Sequence, residues 1–180
     1  MINIKKSQSG MTLIETLVYL VLFAIFFGGA ISASYNVLEI GGRNQTKVIV
    51  QQEGDFLLAK IDWVLSGVDS INEPAAGTSG SLLSVNRVMG LVGGVPQIEA
   101  VTIGFPNGDM VIGYPNRVPP ATITLSNSNI KITDLNFEHV KSTSNDAEPE
   151  SVTTTFTITA KTENGADYSQ NFYSKTFVRK

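Results

Sequence analysis

Residues 10–31 read GMTLIETLVYLVLFAIFFGGAI and hold a single charge, Glu15. From Thr16 to Leu38 no Asp, Glu, Lys or Arg occurs, so 23 consecutive residues suit hydrocarbon, where about 20 helical residues cross a bilayer core. The pattern predicts a membrane helix over about 13–34. A short polar leader precedes it, carrying Lys5 and Lys6 and ending at Gly10. No basic residue follows the apolar run until Arg43. Because basic residues stay on the cytoplasmic side, the N-terminus is expected in the cytoplasm and the bulk of the chain outside.

Lys5-Lys6, then Gly10-Met11-Thr12-Leu13-Ile14-Glu15 and the apolar run, resemble the class III signal of type IV pilin-like proteins. That family includes pilins, type II secretion pseudopilins and competence pilins. The resemblance implies cleavage between Gly10 and Met11 by a prepilin peptidase, methylation of the new Met11 amine, and retention of the apolar helix on the mature chain. Met11 departs from the phenylalanine usual at that position. The resemblance also implies a single-pass protein of the bacterial inner membrane that meets membrane lipid, other pilin or pseudopilin subunits and an inner-membrane assembly platform.

Glu15 can be argued from its chemistry as well. A carboxylate costs about 2.5–3.5 kcal/mol at the bilayer centre and less near the edge, so one kept beside an apolar helix calls for a partner. Met11 lies four residues earlier, one helical turn away. A free Met11 amine, its own or a neighbouring subunit's, would supply the partner, and the helix dipole favours an acid in the first turn. The plainer alternative is that Glu15 reaches the headgroups. A secretory signal cut near residues 30–34, where small residues cluster, is a competing reading of the segment, as is an uncleaved anchor. Glu15 inside the apolar region argues against the secretory signal.

Within the anchor, Ala24, Gly28 and Ser32 recur every four residues, with Gly29 and Ala33 beside them. Small residues at that spacing let helices approach closely in lipid. Many pilins carry proline where Ser32 stands, so any local melting would fall to Gly28-Gly29 or Gly41-Gly42. Beyond Tyr35 the pattern turns amphipathic. Val50, Leu57, Ile61, Val64 and Val68 mark one helical face, with Ile49, Phe56 and Trp63 beside it, and such a stripe is expected to lie under a sheet. Residues 52–71 resemble the corresponding helix end of J-type minor pseudopilins, although Lys60 and Trp63 stand where those proteins tend to have arginine.

The expected organisation is a cleaved leader at 1–10, a long helix at 11–68 and a β-rich head at 69–180. Residues 72–81, NEPAAGTSGS, form a Pro/Gly/Ser-rich connection that ends the helix. Val101, Ile103 and Phe105 then alternate with smaller residues before Asn107-Gly108, a strong hairpin signal, and residues 110–114. Further strands are expected at 121–125, 130–140, 152–162 and 168–178, with a short one at 82–85. Strands without intervening helices imply an antiparallel sheet. The fold class is therefore α+β, a long N-terminal helix on an antiparallel head. About 112 residues can enclose one modest core.

The formal net charge is −3, and loss of Lys5 and Lys6 with the leader makes it −5. This balance gives no general footprint for nucleic acid. There is no cysteine, so the head has no disulfide. Catalytic chemistry is not indicated either. His139 is the sole histidine and reads as a rim residue of its strand, and residues 77–81, GTSGS, do not make a nucleophile elbow. Metal-protease, redox and nucleotide-binding motifs are absent from the sequence. Asp146, Glu148 and Glu150 alternate in a polar loop that invites comparison with calcium sites, but they lack EF-hand spacing, and a solvated loop is the favoured reading. No catalytic residue, metal or cofactor is expected. The two function classes left are a structural subunit of a type IV pilus-like machine and an anchored binding domain that never polymerises.

Overall fold

The computed structural model describes residues 12–141, 149–162 and 164–178. The chain divides into two compact units, Met1–Gly42 and Arg43–Lys180. Helix α1, Leu13–Leu65, begins in the first and supplies the second with its only described α-helix. In the first unit every described residue up to position 41 is exposed.

In the second unit α1 becomes one-sided. Thr46, Val50, Gly54, Leu57, Ile61 and Val64 are buried at steps of three and four, the recurrence that keeps one helical face inward. The expected stripe is thus present, whereas Ile49, Phe56 and Trp63 on its flank remain partly exposed. Trp63 is covered instead by Arg87, whose guanidinium lies 3.9 Å from the ring centroid.

The helix stops earlier than expected. Gly67 adopts φ +76°, a left-handed conformation open to glycine that commonly ends helices. Ser66 Oγ donates to the Trp63 carbonyl and Arg87 Nε to the Ser66 carbonyl, at 2.7 and 2.9 Å, meeting carbonyls that the helix can no longer pair. Residues 66–68, anticipated as helix, therefore leave it, and Val68–Glu73 form strand β1.

Eight further strands follow: β2 Ser79–Gly80, β3 Leu83–Val92, β4 Val95–Gly104, β5 Val111–Tyr114, β6 Ala121–Thr124, β7 Ile130–Val140, β8 Ser151–Lys161 and β9 Asp167–Phe177. They form two antiparallel sheets where the sequence suggested one. Their orders are β1-β3-β4-β5-β6 and β2-β7-β8-β9. The Asn107-Gly108 signal does join β4 to β5, with Asn107 at φ 59°. The strand expected at 82–85 grows into β3, ten residues long, because Gly93 and Gly94 at φ 59° and 83° make a tight turn into β4.

Buried side chains from α1 and both sheets make one core. On β8, Val152, Phe156, Ile158 and Ala160 face it as expected, and Phe156 stacks on Phe172 of β9 with centroids 5.3 Å apart. The helix meets this pair at Gly54, where a Cβ would lie 2.0 Å from Phe172 Cε1. Glycine is required there by close approach rather than by backbone angle. Polar bonds flank the contact: Asn127 N donates to Glu53 Oε1 at 2.8 Å, Gln170 to Gln51, and Thr176 to Asp62.

His139 is not a rim residue. It is buried; Nδ1 donates to the Pro74 carbonyl at 3.0 Å, and Nε2 lies 2.9 Å from Glu150 Oε1. Phe137 and His139 share one inward face of β7 at the period-two spacing of a strand, which was the sequence signal for this burial. The ring ties β7 to the segment after β1 and to the residues before β8.

Candidate assembly segment

The functional argument centres on the N-terminal half of α1. Gly10, Met11, Lys5 and Lys6 lie outside the described residues, as do Asp146 and Glu148. Glu15 is described and sits in the first turn of α1, exposed, with its N–H bonded to the Thr12 carbonyl at 3.1 Å. Tyr19 Oη is 3.5 Å from Glu15 Oε1, at the outer limit of a useful bond. The carboxylate thus retains capacity to accept stronger donors.

The segment after Glu15 is long and apolar enough to cross a membrane, with an 18-residue window of mean hydropathy 2.2. Two of its hydroxyls are satisfied within the helix: Thr16 Oγ1 donates to the Thr12 carbonyl at 3.1 Å and Ser34 Oγ to that of Ala30 at 2.9 Å. This matters because an unpaired polar group is costly in hydrocarbon.

Ala24, Gly28 and Ser32 fall on one side of the helix at four-residue steps, all exposed. No atom lies within 4 Å of a Cβ built at Gly28 or Gly29. Another helix can therefore approach this side closely. Phe23, Phe26 and Phe27 cluster nearby, with the Phe23 and Phe27 centroids 4.1 Å apart.

In the head, the clearest electrostatic pair is Arg117 and Glu99. The guanidinium donates through two nitrogens to the two carboxylate oxygens. Its hydrogen bonds hold the Glu99 carboxyl below the usual carboxylate range against an opposing effect of burial. Arg117 also stacks 3.9 Å from the Tyr114 ring centroid. The pair fastens the β5–β6 connection to β4.

Comparison with known families matches residues 5–31 to the prokaryotic N-terminal methylation motif. No curated protein and no solved structure gives a match. The matched span runs from Lys5 through Gly10 and Glu15 to Ile31, within the exposed apolar part of the helix. The chain thus carries a motif similar to the class III prepilin signal at residues 5–31, ahead of a long helix and antiparallel sheets, and these features support a type IV pilin-like protein.

Proposed function

We propose that the chain is a minor structural subunit of a type IV pilus-like filament or type II secretion pseudopilus, placed at a tip or in an initiation complex, and not an enzyme. In this reading a prepilin peptidase cuts after Gly10, Met11 is methylated, and the inner-membrane helix waits to pack against other pilin subunits through the assembly platform. The observation that carries the reading is the methylation motif at 5–31, with Glu15 on an apolar helix exposed all round. Such a helix must be enclosed by something apolar, and lipid before assembly and neighbouring helices after it both qualify. Ala24, Gly28 and Ser32 would be the approach face. Glu15 would pair with the Met11 amine of a neighbour.

The minor role is supported by the likeness of residues 52–71 to J-type minor pseudopilins and by the absence of a cysteine pair and of a proline at Ser32. Quantitative mass spectrometry of purified filaments tests it. The chain should be present in few copies; if it is the most abundant component it is a major subunit, and if it is missing from filaments it is an anchored binding domain. Glu15→Val should still accumulate in the membrane yet enter filaments at a reduced level. Entry at the normal level would overturn the pairing.

A further inference from the structure

Near the end of β7 stands the sole histidine of the chain, His139, 4% exposed between two partners. Nδ1 lies 3.0 Å from the carbonyl of Pro74, itself buried, and Nε2 lies 2.9 Å from Glu150 Oε1. A carbonyl oxygen only accepts, so Nδ1 carries a hydrogen and donates. In a neutral imidazole the second nitrogen is then bare and only accepts, and an ionised carboxylate only accepts as well. Two acceptors do not hold each other at 2.9 Å. The contact therefore contains one more proton. Either the ring is an imidazolium facing a carboxylate, or Glu150 is protonated and donates to a neutral ring.

The residues joined here come from distant parts of the chain. Pro74 opens the segment between β1 and β2, and Glu150 stands immediately before β8. Gly77 N donates to the His139 carbonyl at 2.8 Å, His139 N to the Thr78 carbonyl at 3.1 Å, and Val178 N to the Glu150 carbonyl at 2.9 Å. β2 is an edge strand paired with β7 through Ser79 and Gly80 alone, so the imidazole supplies a side-chain tie where backbone pairing is short. Other charges on the surrounding elements face away: Glu73 and Lys141 are exposed, and Glu138 and Lys175 are exposed on the outer faces of β7 and β9. β2, β8 as far as Ala160 and the buried stripe of α1 carry no charge.

We infer that His139 and Glu150 form a proton-dependent latch, which fastens the segment 74–78 and the start of β8 to β7 in mildly acidic surroundings and lets go as pH rises. The sign follows from the proton count. Between about pH 4.3 and 6.5, the ordinary values of Glu and His, an unfolded chain also holds one proton on this pair, so folding takes up none. Above about pH 6.5 the unfolded ring is neutral while the closed latch still needs its proton. Stability therefore falls as pH rises, by up to about tenfold in the unfolding constant per pH unit, until the latch opens. The latch belongs to the head alone; that it meets the pH outside the membrane rests on the topology proposed above.

Denaturant unfolding of the full-length protein in detergent, read by Trp63 fluorescence between pH 5.5 and 8.5, tests the latch separately from that topology. Glu150→Gln is the variant to set beside the natural chain, because its amide N–H donates to a neutral ring without an added proton. The ratio of unfolding constants, natural over variant, should rise about tenfold across the range. A ratio that is constant or falls would overturn the inference. The natural chain also decides the matter by itself, should the variant not fold. With a single histidine its ring nitrogens give unambiguous 15N signals; their change with pH and the loss of hydrogen-exchange protection at Gly77 N should share one midpoint. A ring that titrates while Gly77 stays protected would overturn the latch.

Discussion

The two halves of α1 differ in how much apolar surface they carry and in how it is arranged, and they reach opposite ends. Residues 13–41 are apolar on every side and exposed on every side; residues 43–65 are apolar on one side, and that side is buried against two sheets. The difference is one of amount and of arrangement. An apolar stripe is solved by the chain's own core, whereas apolar residues all round exceed what one sheet face can cover and need an external apolar medium. The first half therefore owes little to the head's stability, and the second owes much.

The comparison is broken most forcefully by one ring beneath the buried half and one on the exposed half. Phe156→Ala opens the core beneath the helix and is expected to destabilise the head by about 3–5 kcal/mol. Phe26→Ala, in the exposed half, should leave head stability unchanged. Trp63, the sole tryptophan, sits near the end of α1, so its fluorescence during denaturant unfolding in detergent reads both variants. Equal losses from the two would show that the halves are not energetically separate.

A smaller effect is expected where the helix meets β9. Gly54→Ala places a methyl 2.0 Å from a Phe172 ring atom, and the ring is held by its stack on Phe156. Overpacking of this kind costs about 1–3 kcal/mol. Gly28→Ala in the exposed half meets no atom within 4 Å and should leave the same unfolding curve unchanged or slightly stabilised, since alanine favours helix. A null result at Gly54 would mean that the helix and β9 are less closely seated than the structure has them.

The smallest effect sharpens the picture of the head alone. Because Arg117 lowers the Glu99 carboxyl below its ordinary value of 4.5, the pair stabilises the fold above that pH and ceases to as pH falls through the folded value. The gap in unfolding midpoint between the natural chain and Arg117→Ala should be small at neutral pH, as befits a partly exposed pair, and should close below pH 4.5. A gap that widens on acidification would contradict this.

Much of this was legible from the residues, for reasons that differ by region. The stripe from Val50 to Val64 repeats at helical spacing over several turns, β9 alternates over eleven residues, β8 does so from Val152, and β7 does so on either side of its bulge at Asp134, so local pattern and tertiary demand agree. Residues 66–68 misled because Val68 continues the helical stripe in number; the helix ends at Leu65, ahead of the left-handed Gly67, and Val68 reaches the core as part of a strand instead. The β3–β4 hairpin went unread beyond Val85 because its tip does not alternate, although Gly93-Gly94 was a turn signal. His139 looked peripheral because its partners, Pro74 and Glu150, lie 65 and 11 residues away, and no local pattern encodes them. In the assembly segment the sequence located Glu15 and the small residues, but the internal bonds of Thr16 and Ser34 needed coordinates.

The central claim is that the leader ends at Gly10 and the apolar helix stays on the mature chain. Intact-mass and peptide analysis of the N-terminus of the protein purified from its own membranes tests this most directly. The expected result is a chain beginning at Met11 with one added methyl group, and a Gly10→Val precursor that remains uncut. A mature chain beginning near Ser34, or one that keeps Lys5 and Lys6, would contradict the account.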